Sequence, residues 1–220
     1  MNDAAVASLI EYTALAPDVT AEQVSTLCHA SLARSFAAVY VNPMYVTLAS
    51  SLLESSQTSV GTVVGYPLGA LTTRQKVYET ATSLEEGALE IDLTLNVAWL
   101  HAGDKAQVRQ EILSIAQVLS RNPFAMLKVV LETSLLDDAH LKLATQLAIE
   151  GGAHYVVAAR DYGAAAPSTA HIAVLRSAAR HLIGVKVSGV SAAAQAAEFV
   201  AMGVARVGSA NPLSLLDRQA

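Results

Sequence analysis

The sequence is poor in the residues that stabilise or target a chain by special means. Cys28 is its only cysteine, so no disulfide can form within the chain. It falls at an apolar position of a predicted helix, and we expect a small buried hydrophobic residue there. Charged residues are only 15% of the chain, and the net charge is −5 without any block of like charge. This balance argues against disorder and against binding to nucleic acid or to an anionic membrane.

The sequence also lacks the segments that direct a chain into or across a membrane. Its N-terminus has no basic start, and Glu11 and Pro17 interrupt the apolar run that follows. We therefore predict no signal peptide. No apolar stretch reaches the roughly 18 residues that a membrane span needs. We expect a cytoplasmic protein.

What the chain does contain is a regular alternation of strand-like and helix-like segments, with 53% hydrophobic residues over 220 positions. The strand-like runs are almost continuously apolar, which is typical of strands buried on both faces of a parallel sheet. Seven are clear and an eighth, at Tyr12–Leu15, is weaker. The seven are Phe36–Val41, Val60–Gly65, Ala88–Leu93, Met126–Glu132, His154–Ala159, Ile183–Ser188 and Ala205–Gly208.

Helix start signals separate these runs. Thr20–Gln23 and Thr72–Gln75 have the capping-box pattern, in which a Thr hydroxyl accepts a free backbone N–H and the Gln side chain reaches back. Asp104 and Ser168 each precede an amphipathic segment and can cap it. The strands are therefore predicted to alternate with helices along the whole chain.

Helix stop signals and the strand count together predict the fold. Gly151 and Gly203 lie where helices should end, at the position that favours a left-handed backbone. Eight strands alternating with helices in about 220 residues predict a single α/β domain over residues 1–220, a (β/α)8 TIM barrel with a short N-terminal helix. A doubly wound open sheet is the alternative. That fold usually carries a Gly-rich nucleotide loop after its first strand, and the sequence has none.

Three charged residues lie inside otherwise apolar predicted strands: Asp92, Lys128 and Lys186. Burial of an unpaired charge costs several kcal/mol, so a mutually compensating cluster inside the barrel is the simplest explanation. The other three lysines fall on helices. We predict that Asp92, Lys128 and Lys186 are catalytic, since burial can make a lysine a usable nucleophile or base. A purely structural ion pair is the alternative.

The loops that follow the strands supply candidate binding residues. Backbone N–H groups at helix starts after strands 7 and 8 often bind phosphate in barrels, and here those loops contain Ser188 and Gly189, then Gly208 and Ser209. Further candidates follow strands 2, 4 and 6. These are Asn42, Thr94, Arg160 and Asp161.

The remaining polar residues give weaker signals. The histidines at positions 29, 101, 140, 171 and 181 are predicted on helices or near helix starts, as surface or capping residues. No pair has metal-ligand spacing, so we predict no metal and no cofactor. Tyr12, Tyr40 and Tyr162 fall near strand ends, where they either pack or line the site.

Several long motifs make the chain similar to the deoxyribose-phosphate aldolases. They occur in the order that the family has, and the similarity runs from about Leu9 to Leu216. The motifs are AAVYVNPMYV at Ala37–Val46, VVGYPLGA at Val63–Ala70, LEIDLTLNVAWLHAGD at Leu89–Asp104, LKVVLET at Leu127–Thr133 and GVKVSGV at Gly184–Val190. The resemblance implies a (β/α)8 barrel, often dimeric, that cleaves or forms carbon–carbon bonds through a lysine imine.

The resemblance also assigns roles to individual residues. Asp92 matches the family's proton-relaying aspartate, and Lys186 matches the strand-7 lysine that lowers the pKa of the reactive one. Lys128 matches a further lysine that lines the family's site. The imine-forming lysine itself belongs on strand 6, where an ungapped match places Val157.

The departure from the family extends beyond Val157. The family's FVKTSTGFGPGGAT is YVVAARDYGAAAPST here, so Arg160 and Asp161 are new. Strand 1 is EYTALAP in place of DHTLLKP, which replaces a His and a Lys. Tyr40 stands where Cys is usual, Val190 replaces a phosphate-binding Gly, and GSA replaces GTS after strand 8.

Three functions are compatible with these features. The first is an aldolase-type lyase of altered chemistry, in which Lys186 forms the imine and Arg160 and Asp161 recognise a different substrate, which need not be phosphorylated. The second is an inactive relative that binds a ligand or a partner subunit. The third is an isomerase or lyase that uses Lys186 as general base with Asp92. We expect a small aldehyde or sugar phosphate as ligand, and a homodimer is compatible with the resemblance.

Overall fold

The computed structural model describes residues 6–159 and 166–216, and eight parallel strands close into a barrel in chain order. The (β/α)8 barrel predicted from the sequence is therefore confirmed. The strands are β1 Ile10–Ala14, β2 Ala38–Val41, β3 Ser59–Val64, β4 Glu90–Thr94, β5 Met126–Glu132, β6 Tyr155–Ala159, β7 Gly184–Val187 and β8 Arg206–Ser209. The weak eighth prediction, at Tyr12–Leu15, corresponds to β1 and was placed two residues late at its start.

Helices connect successive strands and surround the barrel. They are α1 Ala21–Arg34, α2 Val46–Leu53, α3 Thr73–Glu85, α4 Val97–His101, α5 Lys105–Leu119, α6 Asp138–Glu150, α7 Thr169–Ala179, α8 Ala193–Ala201 and α9 Leu213–Leu216, and a 3-10 turn, Pro43–Tyr45, precedes α2. Residues 6 and 7 are helical, and the rest of the predicted N-terminal helix lies outside the described residues.

The hydrophobic core lies between the sheet and the ring of helices. Strand side chains that point outwards, such as Val39, Ile91 and Leu127, are completely buried and belong to one cluster with helix residues such as Ile112 and Leu175. Alternate side chains point inwards, and in β4 these are polar: Glu90, Asp92 and Thr94. The near-continuous apolar runs therefore cover the outside of the barrel, while the charged residues that interrupt them lie inside it.

Capping residues begin the helices where the sequence predicts. Thr20, Thr72 and Ser168 each form a complete capping box, and Asp104 accepts a hydrogen bond from the backbone N–H of Gln107. Each cap satisfies N–H groups that the first helical turn leaves without partners.

Of the two glycines predicted in the left-handed region, only Gly203 is there, with φ +86°. The prediction for Gly151 is wrong: its φ is −82°, and the next residue, Gly152, adopts φ +84°. Gly151 is required for space instead, since a Cβ at this position would lie 2.5 Å from Cγ2 of Ile112 on α5.

Cys28 is completely buried on α1, as predicted, and burial raises the pKa of its thiol to about 11.

Within residues 6–159 and 166–216, no helix combines the length and the apolar composition that a bilayer crossing requires.

The capping box of α1 gives a test of the local folding rules. Thr20→Ala removes the hydroxyl that accepts the Gln23 N–H, and we expect the free energy of unfolding to fall by about 1 kcal/mol in urea titration. Thr26→Ala, the same change in the middle of the same helix, is the control and should leave stability unchanged or slightly higher, because Ala is the better helix former. An equal loss in both variants would contradict the assignment of the cap.

Candidate active site

A cavity of about 680 Å³ opens at the carboxyl ends of the strands. This is the end at which barrel enzymes place their active sites. Its walls come from three parts of the described chain: the β1–α1 segment, the inner faces of β2 to β7, and the loops after β3, β7 and β8. Tyr12, Tyr40 and Tyr66 contribute aromatic surface, and Ser188 and Gly189 lie at the mouth after β7.

An ion pair forms the charged part of the cavity wall. Lys186 Nζ on β7 donates a hydrogen bond of 2.6 Å to Asp92 Oδ2 on β4, across the barrel. Both residues line the cavity, and both are almost completely buried. The sequence prediction that these two residues meet at one site is therefore confirmed in geometry, while their catalytic roles remain predictions.

Beneath this pair lies a second layer of charge, in which Glu11, Glu90 and Lys128 are completely buried. Glu11 on β1 forms ion pairs with both Lys186 and Lys128, and Lys128 is also paired with Glu90 at 2.5 Å. Arg206 Nε approaches Glu11 Oε1 at 3.5 Å from the opposite end of the barrel. Three carboxylates thus face three cations inside the barrel, which compensates charges that would each be costly alone.

These contacts shift the ionisation of the buried groups. Burial opposes ionisation of Glu11, but Lys128 and Lys186 outweigh it and lower the pKa of Glu11 to about 2. Burial also disfavours the Lys128 ammonium, yet Glu11, Glu90 and Asp92 raise the pKa of Lys128 above its ordinary value. For Asp92 burial prevails over the two lysines and raises its pKa. Asp92 therefore takes up a proton more readily than an exposed aspartate does.

Tyr40 occupies the centre of the barrel, where the sequence left its role open between packing and lining. Its ring is completely buried yet forms part of the cavity floor, and Lys186 Nζ lies 3.8 Å from the ring centroid. Its hydroxyl donates a 3.0 Å hydrogen bond to Glu90 Oε2. Gly61, its register partner on β3, leaves room for the ring, because a Cβ there would lie 2.5 Å from Tyr40 Cζ.

Lys128, predicted as a catalytic residue, does not line the cavity. It is completely buried below Tyr40, with its Nζ 5.2 Å from the Tyr40 ring centroid and 5.1 Å from that of Tyr155. The structure therefore brings Lys128 together with Asp92 and Lys186 in one network but places it out of reach of a ligand in the cavity.

The predicted binding residues that the structure describes fall into three groups. Ser188 and Gly189 line the cavity. Gly208 and Ser209 lie on β8 behind them, where Ser209 accepts a hydrogen bond from the Asn211 N–H. Asn42 and Thr94 make contacts within the fold instead: Asn42 holds a neighbouring backbone carbonyl, and Thr94 is held at its own.

The contacts of this last group are specific. The Thr94 carbonyl accepts a hydrogen bond from Lys76 Nζ, and Asn42 Nδ2 donates to the Ala16 carbonyl at 3.1 Å. Arg160, Asp161 and Tyr162 lie outside the described residues, so their predicted roles remain predictions.

The position at which the family resemblance expects the imine lysine is apolar. Val157 is completely buried on β6 and packs with Val130 and Ala159 in a small cluster of its own. Val130 and Ala159 line the cavity beside this residue, and the register places Val157 opposite Lys186 of the next strand. An apolar patch therefore borders the only lysine, of the chain's five, that lines the cavity.

Sequence reasoning missed the residues that compensate the two lysines: Glu11, Glu90 and Arg206. A signal for Glu90 was present, because it precedes Asp92 by two positions in a strand and so shares its face. Glu11 had no comparable signal, since the predicted first strand began after it, at Tyr12.

The histidines take the minor roles that the sequence suggested, with small differences in position. His140 lies in the first turn of α6 and His101 ends α4, and their rings stack 4.8 Å apart. His181 follows α7 instead of lying on it. In the described part of the chain, no three His, Cys, Asp or Glu side chains are arranged to hold a metal ion.

Glu11 gives a prediction for stability. Glu11→Gln keeps the size of the side chain but leaves two buried lysines short of a counter-ion, and we expect the free energy of unfolding at pH 7 to fall by about 3–5 kcal/mol. Glu198→Gln, the same change on the exposed surface of α8, is the control and should cost less than about 0.5 kcal/mol.

The pH dependence of this difference follows from the lowered pKa. Glu11 contributes stability while it is ionised, and this contribution is lost as the pH falls from about 4.5 to about 2. The parent and Glu11→Gln should therefore converge in stability over that range in urea titrations. A difference that stays constant down to pH 2 would show that Glu11 is not the shared counter-ion.

Comparisons with known protein families, sequences and structures all lead to one family of aldolases. The model of the DeoC/LacD family aldolases matches residues 6–205. The chain is 32% identical to the deoxyribose-phosphate aldolase of Clostridium kluyveri over 220 residues, all of both chains, and 36% identical to that of Coprothermobacter proteolyticus over 95% of this chain and 94% of the other. The deoxyribose phosphate aldolase of Aeropyrum pernix, described as having a unique tetrameric structure, superposes with a TM-score of 0.90 at 28% identity, covering 98% of this chain and 91% of that one. With the barrel, the cavity and the Asp92–Lys186 pair at its wall, these matches show that the chain belongs to the DeoC/LacD family of aldolases.

Proposed function

We propose that the protein is an aldolase-type carbon–carbon lyase that forms its imine on Lys186. One observation carries the proposal: Lys186 is the lysine that lines the cavity, and Asp92, which can take its proton, is 2.6 Å away. Lys128 is enclosed by Glu11, Glu90 and Tyr40, and the other three lysines lie on helices outside the barrel.

The chemistry follows from this geometry. The Lys186 ammonium passes a proton to Asp92, whose raised pKa suits it to accept one. The free amine then attacks the carbonyl carbon of the substrate, and loss of water gives an iminium. Asp92 gives its proton to the departing water and is a carboxylate again. The iminium then takes up the electron pair of the bond between its α and β carbons as that bond breaks, while the β-hydroxyl passes its proton to Asp92 and becomes the carbonyl of the departing aldehyde. Protonation of the enamine and hydrolysis return the amine.

The surroundings of Lys186 stabilise a cation at this nitrogen at several stages. An ammonium and an iminium carry the same charge, so Glu11, Asp92 and the Tyr40 ring face support both. A lysine on β7 can in this way take the part that the family gives to a lysine on β6, where this chain has the apolar Val157.

The substrate that we propose is a small aldehyde adduct without a required phosphate. The relatives are named as aldolases of deoxyribose phosphate. In this chain the Val190 N–H, at the place of a phosphate-binding Gly in the resembling motif, already donates to the Gly208 carbonyl at 3.1 Å. Arg160 and Asp161 are proposed to contribute to substrate recognition.

A second function is favoured by the same ion pair. Because Lys186 and Asp92 share a short hydrogen bond, they can also exchange a proton with a substrate directly, as a general acid and base. This would make the protein an isomerase or lyase without a covalent intermediate. Turnover that borohydride does not inhibit would favour it over the imine mechanism.

Reductive trapping tests the proposal. We expect acetaldehyde with borohydride to attach to Lys186, as located by peptide mapping, and to abolish retro-aldol activity. Lys186→Arg keeps the cation that Glu11 and Asp92 require but cannot form an imine, so trapping at residue 186 and turnover should both fall to background. Lys142→Arg, on the exposed surface of α6, is the matched control and should behave as the parent.

The results that would contradict this proposal lead to two different conclusions. Trapping on Lys128, or turnover retained by Lys186→Arg, would refute the assignment of Lys186. Absence of both trapping and turnover across aldehydes and sugar phosphates would instead identify an inactive relative that binds a ligand or partner.

A further inference from the structure

The cavity has two parts that differ in position and chemistry. One is the chamber inside the barrel, where Lys186, Asp92 and Tyr40 lie. The other, which we call the α1 lobe, extends from the chamber to the first helix. It is bounded by Ala14, Ala16, Val19, Glu22, Gln23 and Leu27. Nothing in the proposed chemistry requires this second space, since the reacting carbonyl is placed in the chamber.

Small side chains in the β1–α1 segment border the lobe. Ala14 is the last residue of β1, and Ala16 follows two positions later; both line the cavity and end at Cβ. In the similar family motif DHTLLKP these two positions are Leu and Lys, which carry three and four more side-chain heavy atoms. The sequence EYTALAP therefore has space on this side of the barrel that larger residues would occupy.

Two hydrogen bonds from the neighbouring segment hold the walls of the lobe in place. Asn42 Nδ2 donates to the Ala16 carbonyl at 3.1 Å, and Tyr45 Oη donates to the Val19 carbonyl at 2.8 Å. Pro17 lies between these two anchor points and fixes its own backbone φ. The lobe is therefore a supported feature of the fold, and Asn42, predicted as a binding residue, acts by holding its wall.

The walls favour an uncharged occupant. Leu15, Val19 and Leu27 supply apolar surface, and two of the polar groups nearby are already engaged: Gln23 Oε1 accepts the Thr20 N–H, and the Thr26 hydroxyl donates to the Glu22 carbonyl. The Glu22 side chain adds a carboxylate. Among the described residues that line the cavity, the one cation is Lys186, at the far end in the chamber.

We propose that the α1 lobe is the subsite for the non-reacting part of the substrate, and that it accepts an uncharged, mainly apolar group such as a phenyl or branched alkyl chain. This inference rests on the proposed function where it places the reacting carbonyl at Lys186. It specifies the substrate class as aldehydes and aldol adducts with an uncharged substituent, and it makes Ala14 and Ala16 specificity-determining residues.

The first test measures binding without any reaction. Calorimetry with 3-phenylpropan-1-ol, which has no carbonyl, should give a dissociation constant at least about tenfold lower than with 3-phenylpropionate, an anion of the same size. Ala14→Leu should weaken binding of the alcohol at least about tenfold by filling the lobe. Ala139→Leu, the same change on the exposed surface of α6, should leave it unchanged. Ala16→Leu should also weaken binding of the alcohol. Because Ala16 is exposed, the larger side chain should not disturb the packing of the folded protein.

The second test connects the lobe to the reacting nitrogen. Borohydride trapping of 3-phenylpropanal on Lys186 should require at least about tenfold more aldehyde in Ala14→Leu than in the parent, and this increase should be much larger than the increase measured with acetaldehyde. Equal binding of the alcohol by parent, Ala14→Leu and Ala16→Leu, or tighter binding of the carboxylate, would overturn the inference. Lobe-dependent binding of the alcohol without any trapped aldehyde would leave the lobe assigned and refute the imine on Lys186.

Discussion

The Glu11 carboxylate, shared between Lys128 and Lys186, is the interaction on which the interior of this barrel depends. Two ammonium groups cannot lie close together in a dry interior unless negative charge is placed between them, because each buried ion loses several kcal/mol of hydration. Glu90 completes the pairing of Lys128, and Asp92 completes that of Lys186. The lower pair is closed to solvent by the Tyr40 ring, and the upper pair is left at the wall of the cavity. Because the Glu11 carboxylate pairs with both ammonium groups, Lys186 can lie at the cavity wall while Lys128 stays buried below it.

This arrangement gives a physical reason why the reactive position can lie on β7. If the reactive lysine lay on β6, its neutral amine would have to form in the apolar patch next to Val130 and Ala159. Lys186, in contrast, already has a proton acceptor in Asp92 and surroundings that stabilise a cation. The same surroundings suit the iminium that an aldol reaction requires, since the positive charge stays at one nitrogen throughout. Tyr40 and Gly61 belong to this design as a pair, because the ring occupies the volume that any larger residue at position 61 would fill.

Much of the fold could be predicted from the sequence, because strand and helix patterns are local. The eight apolar runs gave all eight strands, and β5 was predicted with its observed limits, Met126–Glu132. The capping residues marked the helix starts for the same reason. Gly151 was misinterpreted because its need for glycine comes from contact with Ile112 on another helix, which no local pattern records.

The site was predicted less completely than the fold. Asp92 and Lys186 were identifiable because a charge inside an apolar strand is unusual, but the position of a residue within its strand does not show how deep its side chain lies along the barrel axis. Depth depends on the register between strands, and register places Lys128 beside Tyr155 and below the cavity. The pairing with Glu11 joins residues 117 and 175 positions apart along the chain, a distance over which composition and periodicity carry no information.

We propose that the cavity is organised around a reactive nitrogen on Lys186, and the other inferences depend on this one. The most direct measurement is a crystal structure of the protein reduced with borohydride in the presence of 3-phenylpropanal. We expect continuous electron density from Nζ of Lys186 into the substrate, with the phenyl group between Ala14 and Leu27. Density attached to another lysine, or an unmodified Lys186 after reduction at saturating aldehyde, would contradict the account.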